Sequence, residues 1–114
     1  SLIIFNSADD QHIPYNGGIG DKSLVEVEKL PVETVVNLWK DKYNCFLMNK
    51  SESSSFQKTS YKNNKGTEIV FYKMLSGGHS WPGGEKIRRF GDAPVKTVSA
   101  TDLIWEFFKY IAKK

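Results

Sequence analysis

The sequence has one cysteine, Cys45, in 114 residues. A single cysteine cannot form a disulfide within the chain, so this thiol is a buried group, a free reactive group or one half of a bridge to another chain. Long hydrophobic runs are also missing, and no apolar stretch approaches the ~20 residues that a membrane-spanning helix needs. We therefore expect neither a disulfide scaffold nor a membrane partner.

The charged residues do not form a long stripe of one sign. The 16 basic and 13 acidic residues give a formal net charge of +3 and are scattered along the sequence. Domains that bind nucleic acid carry clustered Lys and Arg on one face, so nucleic acid is not expected as a partner. Metal sites need several ligands at short spacing. The two histidines and the cysteine lack that spacing, and no metal site is expected.

Short apolar and β-prone runs predict an α/β fold with a mostly parallel sheet. Residues 2–5 form an unbroken apolar run, which is typical of a strand buried on both faces of such a sheet. Residues 56–61 and 67–75 flank the turn sequence 63–66, and together they predict a hairpin that adds one antiparallel strand. The serine-rich segment 51–55 is interpreted as a surface loop.

Two amphipathic helices are predicted to pack on this sheet. The first begins at Pro31 and ends near Asn44, and the second follows the capping-box sequence 99–102, in which Ser99 stands three residues before Asp102. The apolar faces consist of Val32, Val35, Val36, Trp39 and Tyr43 in the first helix, and of Leu103, Ile104, Phe107, Phe108 and Ile111 in the second.

Residues 1–114 are interpreted as one domain, the C-terminal part of a larger α/β protein. The first residues already have the pattern of a strand, and no signal-peptide pattern precedes them. We therefore expect further residues upstream. Because a sheet that lacks its neighbouring strand has an unpaired edge, we also expect the chain to pair with the missing N-terminal part or to form a homo-oligomer.

Polar loops follow the first and the last predicted strand. The first loop contains Asp9 and Asp10, and the second contains His79 between two glycine pairs. Ligands of open α/β sheets bind at the carboxyl ends of the strands. There a carboxylate can hold a histidine in one tautomer, so that the histidine moves a proton between nucleophile and leaving group. We expect Asp10 and His79 to form such a pair, whereas His12 is interpreted as an exposed loop side chain.

Four segments, distributed over nearly the whole length of the chain, share the pattern of one enzyme group. They are Asp-Gln-His-Ile-Pro-Tyr-Asn-Gly-Gly at 10–18, Gly-Gly-His-Ser-Trp-Pro-Gly-Gly at 77–84, Leu-Trp at 38–39 with Tyr-Asn-Cys at 43–45, and Ala-Thr-Asp-Leu-Ile-Trp-Glu-Phe-Phe at 100–108. The sequence thereby resembles the polyhydroxybutyrate depolymerase and feruloyl esterase-like group of α/β-hydrolases.

This resemblance implies a carboxylic ester hydrolase with a Ser-His-Asp triad, which needs no cofactor and is exported from the cell. By position in the motifs, the acid falls on Asp10, with Asp9 as the rival acid, and the general base falls on His79. Tyr15 and Trp81 are expected to line the substrate pocket, because ester substrates bind mainly through apolar contacts with a few fixed polar groups.

The chain lacks the Gly-x-Ser-x-Gly elbow that carries the nucleophile in this group. Ser7, Ser76 and Ser80 lie near the two loops but in no such motif. We therefore expect the serine to lie elsewhere in the enzyme and this chain to be inactive alone. The alternative interpretation is a non-catalytic binding or interaction module that retains the esterase fold, with Tyr15 and Trp81 as its binding surface.

Three positions depart from the pattern of the group. Asn6 and Ser7 stand where many members have His-Gly before the acid. Asn44 replaces the glycine before the cysteine, and Pro31 replaces a serine at the start of the first helix. None of these departures affects the proposed acid and histidine. The basic segment 85–90 is interpreted as a solvated loop.

Overall fold

The described residues form four strands and two helices. The computed structural model describes residues 1–11, 13–20, 30–78, 82–84 and 99–112. In chain order the elements are β1 (Leu2–Ser7), α1 (Val32–Lys42), β2 (Phe46–Glu52), β3 (Phe56–Lys62), β4 (Glu68–Met74) and α2 (Ala100–Ala112). Within this part of the chain, no helix has the length and apolar character needed to cross a membrane.

The strands form one mixed sheet in the order β1-β4-β3-β2. Only β1 and β4 pair in parallel, whereas β4 with β3 and β3 with β2 pair antiparallel. The predicted α/β class and the hairpin of β3 and β4 are confirmed, but the prediction of a mostly parallel sheet is wrong. The lengths of the connections explain this difference, because parallel neighbours need a long connection. The neighbours β2 and β3, and β3 and β4, are joined by short turns and pair antiparallel, whereas a long stretch of chain separates β1 from β4.

A second antiparallel strand, β2, was not predicted. Ser51 and Glu52 belong to its end, so the predicted loop at 51–55 is shorter than expected. The Ser53 hydroxyl closes the remaining turn by accepting hydrogen bonds from the amides of Ser55 at 3.1 Å and Phe56 at 3.2 Å. All residues of β2 are exposed, and its pairing with β3 contains an irregularity between Leu47 and Asn49.

The turn between β3 and β4 is stabilised by the side chain of Asn63. Its Oδ1 accepts hydrogen bonds from the amides of Lys65 at 2.9 Å and Thr67 at 3.0 Å. Gly66 has a φ of 84°, which glycine adopts without the steric cost of a Cβ atom. The turn residues therefore set this hairpin locally, as the sequence predicts.

The core lies on both faces of β4, the most buried strand. Phe71 packs with Tyr15, Val32 and Val36 on the face covered by α1. Residues of the opposite face, namely Val70, Tyr72 and Met74, pack against Leu103 and Phe107 of α2. Successive side chains of a strand point to opposite faces, so one strand anchors both helices.

Strand β1 was predicted to be buried on both faces, but its residues from Leu2 to Asn6 are only partly buried. It lies at the end of the strand order and pairs with β4 alone among the residues described. The ring of Phe5 stacks on Tyr72 with centroids 4.9 Å apart. The apolar run therefore forms an edge strand of the described sheet, and the strand that is buried on both faces is β4.

Both predicted helices are present. Helix α1 follows Pro31 and ends at Lys42, and Asn44 beyond it has a φ of 52°. Ser99 caps α2, because its hydroxyl accepts a hydrogen bond of 3.3 Å from the Asp102 amide. The predicted apolar faces are less buried than their patterns indicate, because Phe108 is 46% exposed and Tyr43 is 41% exposed.

Candidate functional site

The loops that follow β1 and β4 meet at one edge of the sheet. Ser7 and Met74 are the last paired residues of the two parallel strands. Beyond them, the Ala8 amide donates a hydrogen bond of 2.8 Å to the Met74 carbonyl. The Ser7 hydroxyl donates one of 3.4 Å to the Ser76 carbonyl. The predicted approach of these loops is therefore confirmed.

The described contact that lies nearest to the predicted histidine in sequence involves Asp9. The amide of Gly78 donates a hydrogen bond of 2.9 Å to Oδ1 of Asp9, which lies 69 residues away in the sequence. His79 follows Gly78 directly in the sequence. The rival acid, Asp9, thus contacts the loop that carries the predicted base.

Asp10 is held within its own loop. Its side chain is buried, with 8% of the residue exposed. Oδ1 of Asp10 accepts a hydrogen bond of 2.8 Å from the Ile13 amide, and the Asp10 amide donates one of 3.4 Å to the Ser7 carbonyl. Burial and fixation of this kind suit a carboxylate that orients a histidine.

Several predicted residues lie outside the described part of the chain. They are His79, Trp81 and His12, together with Ser80 and the basic segment 85–90. The pairing of Asp10 with His79 and the pocket role of Trp81 therefore stay predictions. On the far side of His79, the Pro82 carbonyl accepts a hydrogen bond of 3.0 Å from the Ala100 amide, at the first residue of α2.

Tyr15, the other predicted pocket residue, lies in the core between the sheet and α1. Its ring stacks near Phe71, and the Nζ of Lys73 lies 4.3 Å from the ring centroid. Its hydroxyl donates a hydrogen bond of 3.0 Å to Oε1 of Glu33. Burial, and next the hydrogen bond and charge of Glu33, raise the pKa of Tyr15. The hydroxyl is thus a neutral donor at ordinary pH.

An open cleft of about 350 Å³ adjoins Tyr15 on the α1 side of the sheet. Its lining includes Glu33, Lys50, Gln57 and Lys73. The volume falls within the range of small-ligand sites, ~300–1,000 Å³. Lys73 stands one residue before Met74, so the cleft begins next to the sheet edge at which the two loops meet.

Cys45 is buried and has no disulfide partner. Its Sγ lies 3.8 Å from the Tyr43 carbonyl oxygen and 3.9 Å from that of Thr67. Burial raises the pKa of this thiol, which disfavours the reactive thiolate. Of the three alternatives for Cys45, the structure supports the buried thiol.

Sequence reasoning found the two loops but missed the residue that joins them. The side chain of Asp9 was indistinguishable from that of Asp10 by residue type, and its contact depends on the register of β1 against β4. Within the described segments, no group of three His, Cys, Asp or Glu residues could hold a metal ion. Comparisons with protein-family models, curated proteins and solved structures give no match for the chain.

Proposed function

We propose that this chain is the acid- and histidine-bearing part of a serine carboxylic ester hydrolase. The observation that carries the proposal is the 2.9 Å hydrogen bond between Asp9 and the Gly78 amide. It joins the residue before Asp10 to the residue before His79. Two residue types that a triad requires therefore stand next to one interloop contact, at the sheet edge where α/β folds bind their ligands.

Each of the two residues has a defined role in this proposal. A serine from another part of the enzyme attacks the ester carbonyl while His79 accepts the serine proton. The bond between the carbonyl carbon and the alcohol oxygen breaks, and His79 gives its proton to the departing alcohol. Water then attacks the acyl-enzyme with the same histidine as base, which releases the carboxylic acid and restores the serine.

Asp10 is the better acid of the two adjacent carboxylates. It is buried, and the Ile13 amide fixes one of its oxygens at 2.8 Å. An ionised carboxylate offers about four lone-pair sites, so this hydrogen bond is compatible with accepting the Nδ1 proton of a histidine. Asp9 is exposed and uses its Oδ1 for the Gly78 amide.

The substrate class comes from the resemblance and from the cleft beside Tyr15. Feruloyl or acetyl esters of polysaccharides and short polyhydroxyalkanoates are the esters that the resemblance implies. The lysine, glutamate and glutamine side chains of the cleft favour a substrate with hydroxyl groups around the ester. The same resemblance favours a secreted or periplasmic enzyme.

The proposal is tested in the enzyme that contains both this chain and the nucleophilic serine. We expect His79→Ala to lower kcat for an activated acetyl ester by at least about 10⁴-fold, as for other triad histidines. His12→Ala is the matched control, because it removes the only other histidine of the chain and should leave kcat nearly unchanged. Near-normal turnover by the His79 variant contradicts the proposal.

One observation favours the alternative of a binding module, namely the absence of a Gly-x-Ser-x-Gly elbow from the 114 residues. This alternative uses Tyr15 as a binding surface through the same cleft, which Tyr15 lines although its side chain is mostly buried. One sequence observation distinguishes the enzyme from the binding module. An elbow in the natural polypeptide upstream of this chain, or in a partner subunit, favours the enzyme, and its absence from both favours the module.

A further inference from the structure

The floor of the cleft beside Tyr15 contains a row of polar side chains. Lys73 of β4, Gln57 of β3 and Glu52 of β2 are paired in register across three neighbouring strands. Lys73 stands two residues after Phe71, so the row lies on the sheet face that α1 covers. All three residues of the row line the cleft, where a bound molecule can contact them.

Lys73 and Gln57 are partly buried, and each has donor groups without an acceptor. Among the described residues, Lys73 forms no ion pair and the side chain of Gln57 makes no hydrogen bond. Polar groups that lose contact with bulk water are normally bonded to protein, ordered water or a ligand. Because an ammonium has only donors and an amide adds two more, this pair is suited to bind an oxyanion.

The ring of Tyr15 holds the ammonium of Lys73 inside the cleft. Nζ lies 4.3 Å from the ring centroid, a distance at which the face of the ring attracts a cation. This contact fixes the position of the charge but offers it no anionic oxygen. An incoming carboxylate therefore has no ion pair to displace at Lys73, and it can bind Lys73 through a charge-assisted hydrogen bond.

Two exposed carboxylates line other parts of the same cleft. Oε1 of Glu33 accepts the hydrogen bond of the Tyr15 hydroxyl, and Glu52 is paired with Gln57 at the end of the polar row. Ionised carboxylates accept hydrogen bonds from hydroxyl groups, whereas they repel a second negative charge. The lining therefore favours a molecule with one oxyanion and several hydroxyl groups over a dianion such as a phosphate.

We infer that this cleft is a binding site for a small hydroxylated carboxylate, such as a sugar acid, whose carboxylate contacts Lys73 and Gln57. The volume of about 350 Å³ is in the range of small-ligand sites. The inference goes beyond the proposed function, because binding requires neither a catalytic histidine nor a nucleophilic serine. It is therefore tested on the chain of 114 residues itself.

The experiment is a nuclear magnetic resonance titration of the ¹⁵N-labelled chain with D-glucuronate, D-glucose and inorganic phosphate. Glucose has the same ring as glucuronate but no carboxylate. We expect glucuronate to bind with a dissociation constant of ~1 mM and to shift the side-chain amide of Gln57. Glucose and phosphate should each bind at least about tenfold more weakly. No saturable binding of glucuronate, or equal binding of either other probe, overturns the inference.

Three variants assign the binding to the polar row. Lys73→Met removes the charge and keeps an unbranched side chain, and Gln57→Glu places a negative charge beside the site. Each should weaken glucuronate binding at least about tenfold. Lys65→Met is the matched control, because it removes the same charge from the turn between β3 and β4 and should leave the affinity unchanged.

Urea denaturation shows whether each variant is folded. If Lys73→Met does not fold, Gln57→Glu alone decides, because it keeps the size of the side chain. Unchanged affinity in the folded variants of the row overturns the inference. An equal loss in Lys65→Met attributes the binding to net charge, which overturns it as well.

Discussion

The hydroxyl of Tyr15 donates a hydrogen bond of 3.0 Å to Oε1 of Glu33, and so joins the loop after β1 to the first turn of α1. Burial and this carboxylate raise the pKa of Tyr15 in the folded chain. In the unfolded chain the phenol loses its proton near pH 10. The folded state therefore binds a proton that the unfolded state has released, and stability should fall as pH rises above about 10.

We predict that Tyr15 makes no pH-dependent contribution to the free energy of unfolding below about pH 9. Above about pH 10, it should lower that free energy by at most ~1.4 kcal/mol per pH unit. Urea denaturation of the chain and of Tyr15→Phe over this range measures the effect. The variant should show the smaller decline. Tyr61, whose pKa is also raised by burial, still contributes to the decline that remains. Equal declines in both proteins contradict the prediction.

The stability of the loop that carries Asp10 should depend more on the oxygen that accepts the hydrogen bond of the Ile13 amide than on the negative charge of Asp10. Asp10→Ala removes the partner of the Ile13 amide in a buried place, and we expect it to cost about 1–3 kcal/mol of unfolding free energy. Asp10→Asn retains an oxygen at that position and should cost less than half as much. Urea denaturation at neutral pH compares the two. Equal costs indicate that the charge of Asp10 has a structural role.

Asn44 should tolerate only residues that accept a left-handed backbone. Its φ of 52° costs a residue with a Cβ atom about 1–2 kcal/mol, less for asparagine and nothing for glycine. Asn44→Gly should therefore leave the thermal midpoint unchanged or raise it, whereas Asn44→Ala should lower it. A stable alanine variant contradicts this account of why asparagine stands before Cys45.

The sequence predicted the elements whose signals are local. The Asn63 to Gly66 turn and the Ser99 cap act within a few residues, and the structure confirms both. Strand β2 escaped prediction because its sequence, Phe-Leu-Met-Asn-Lys-Ser-Glu, does not alternate apolar and polar residues, and all these residues are exposed. Its conformation depends on pairing with β3, a contact that no property of its own residues indicates.

The candidate site was predictable in its location but not in its contacts. Parallel neighbours end at one edge, so the meeting of the loops follows from identifying β1 and β4 as strands. The choice between Asp9 and Asp10 for the Gly78 amide depends on the register of β1 against β4, and Asp9 and Gly78 are 69 residues apart in sequence. A shift of one residue would move each side chain to the opposite face. Local sequence patterns do not determine register at that separation.

Cys45 should react slowly with thiol reagents in the folded chain. The residue is only 7% exposed, and burial raises the pKa of the thiol, so both access and the thiolate fraction are low. We expect Ellman's reagent at pH 8 to modify the native chain at least about tenfold more slowly than the chain in urea. Equal rates in the two conditions contradict the buried position of the sulfur.

The free edge of β1 should cause the chain to associate when it is studied alone. Among the described residues β1 pairs with β4 on one side, and its partly buried apolar residues adjoin the other. Unpaired edges bind further strands. We therefore expect sedimentation velocity to show a dimer or larger species as concentration increases. Over the same concentrations, the amides of β1 should become protected from hydrogen exchange.

Helix α2 offers a competing surface, because Trp105, Phe108 and Tyr110 are exposed on it. Trp105→Lys distinguishes the two surfaces, since it places a charge on the helix and leaves β1 unchanged. Association that persists in this variant, with concentration-dependent protection of β1 amides, supports pairing at the edge. Association lost in the variant assigns it to the helix. A monomer at every concentration contradicts the expectation that this edge recruits a partner strand.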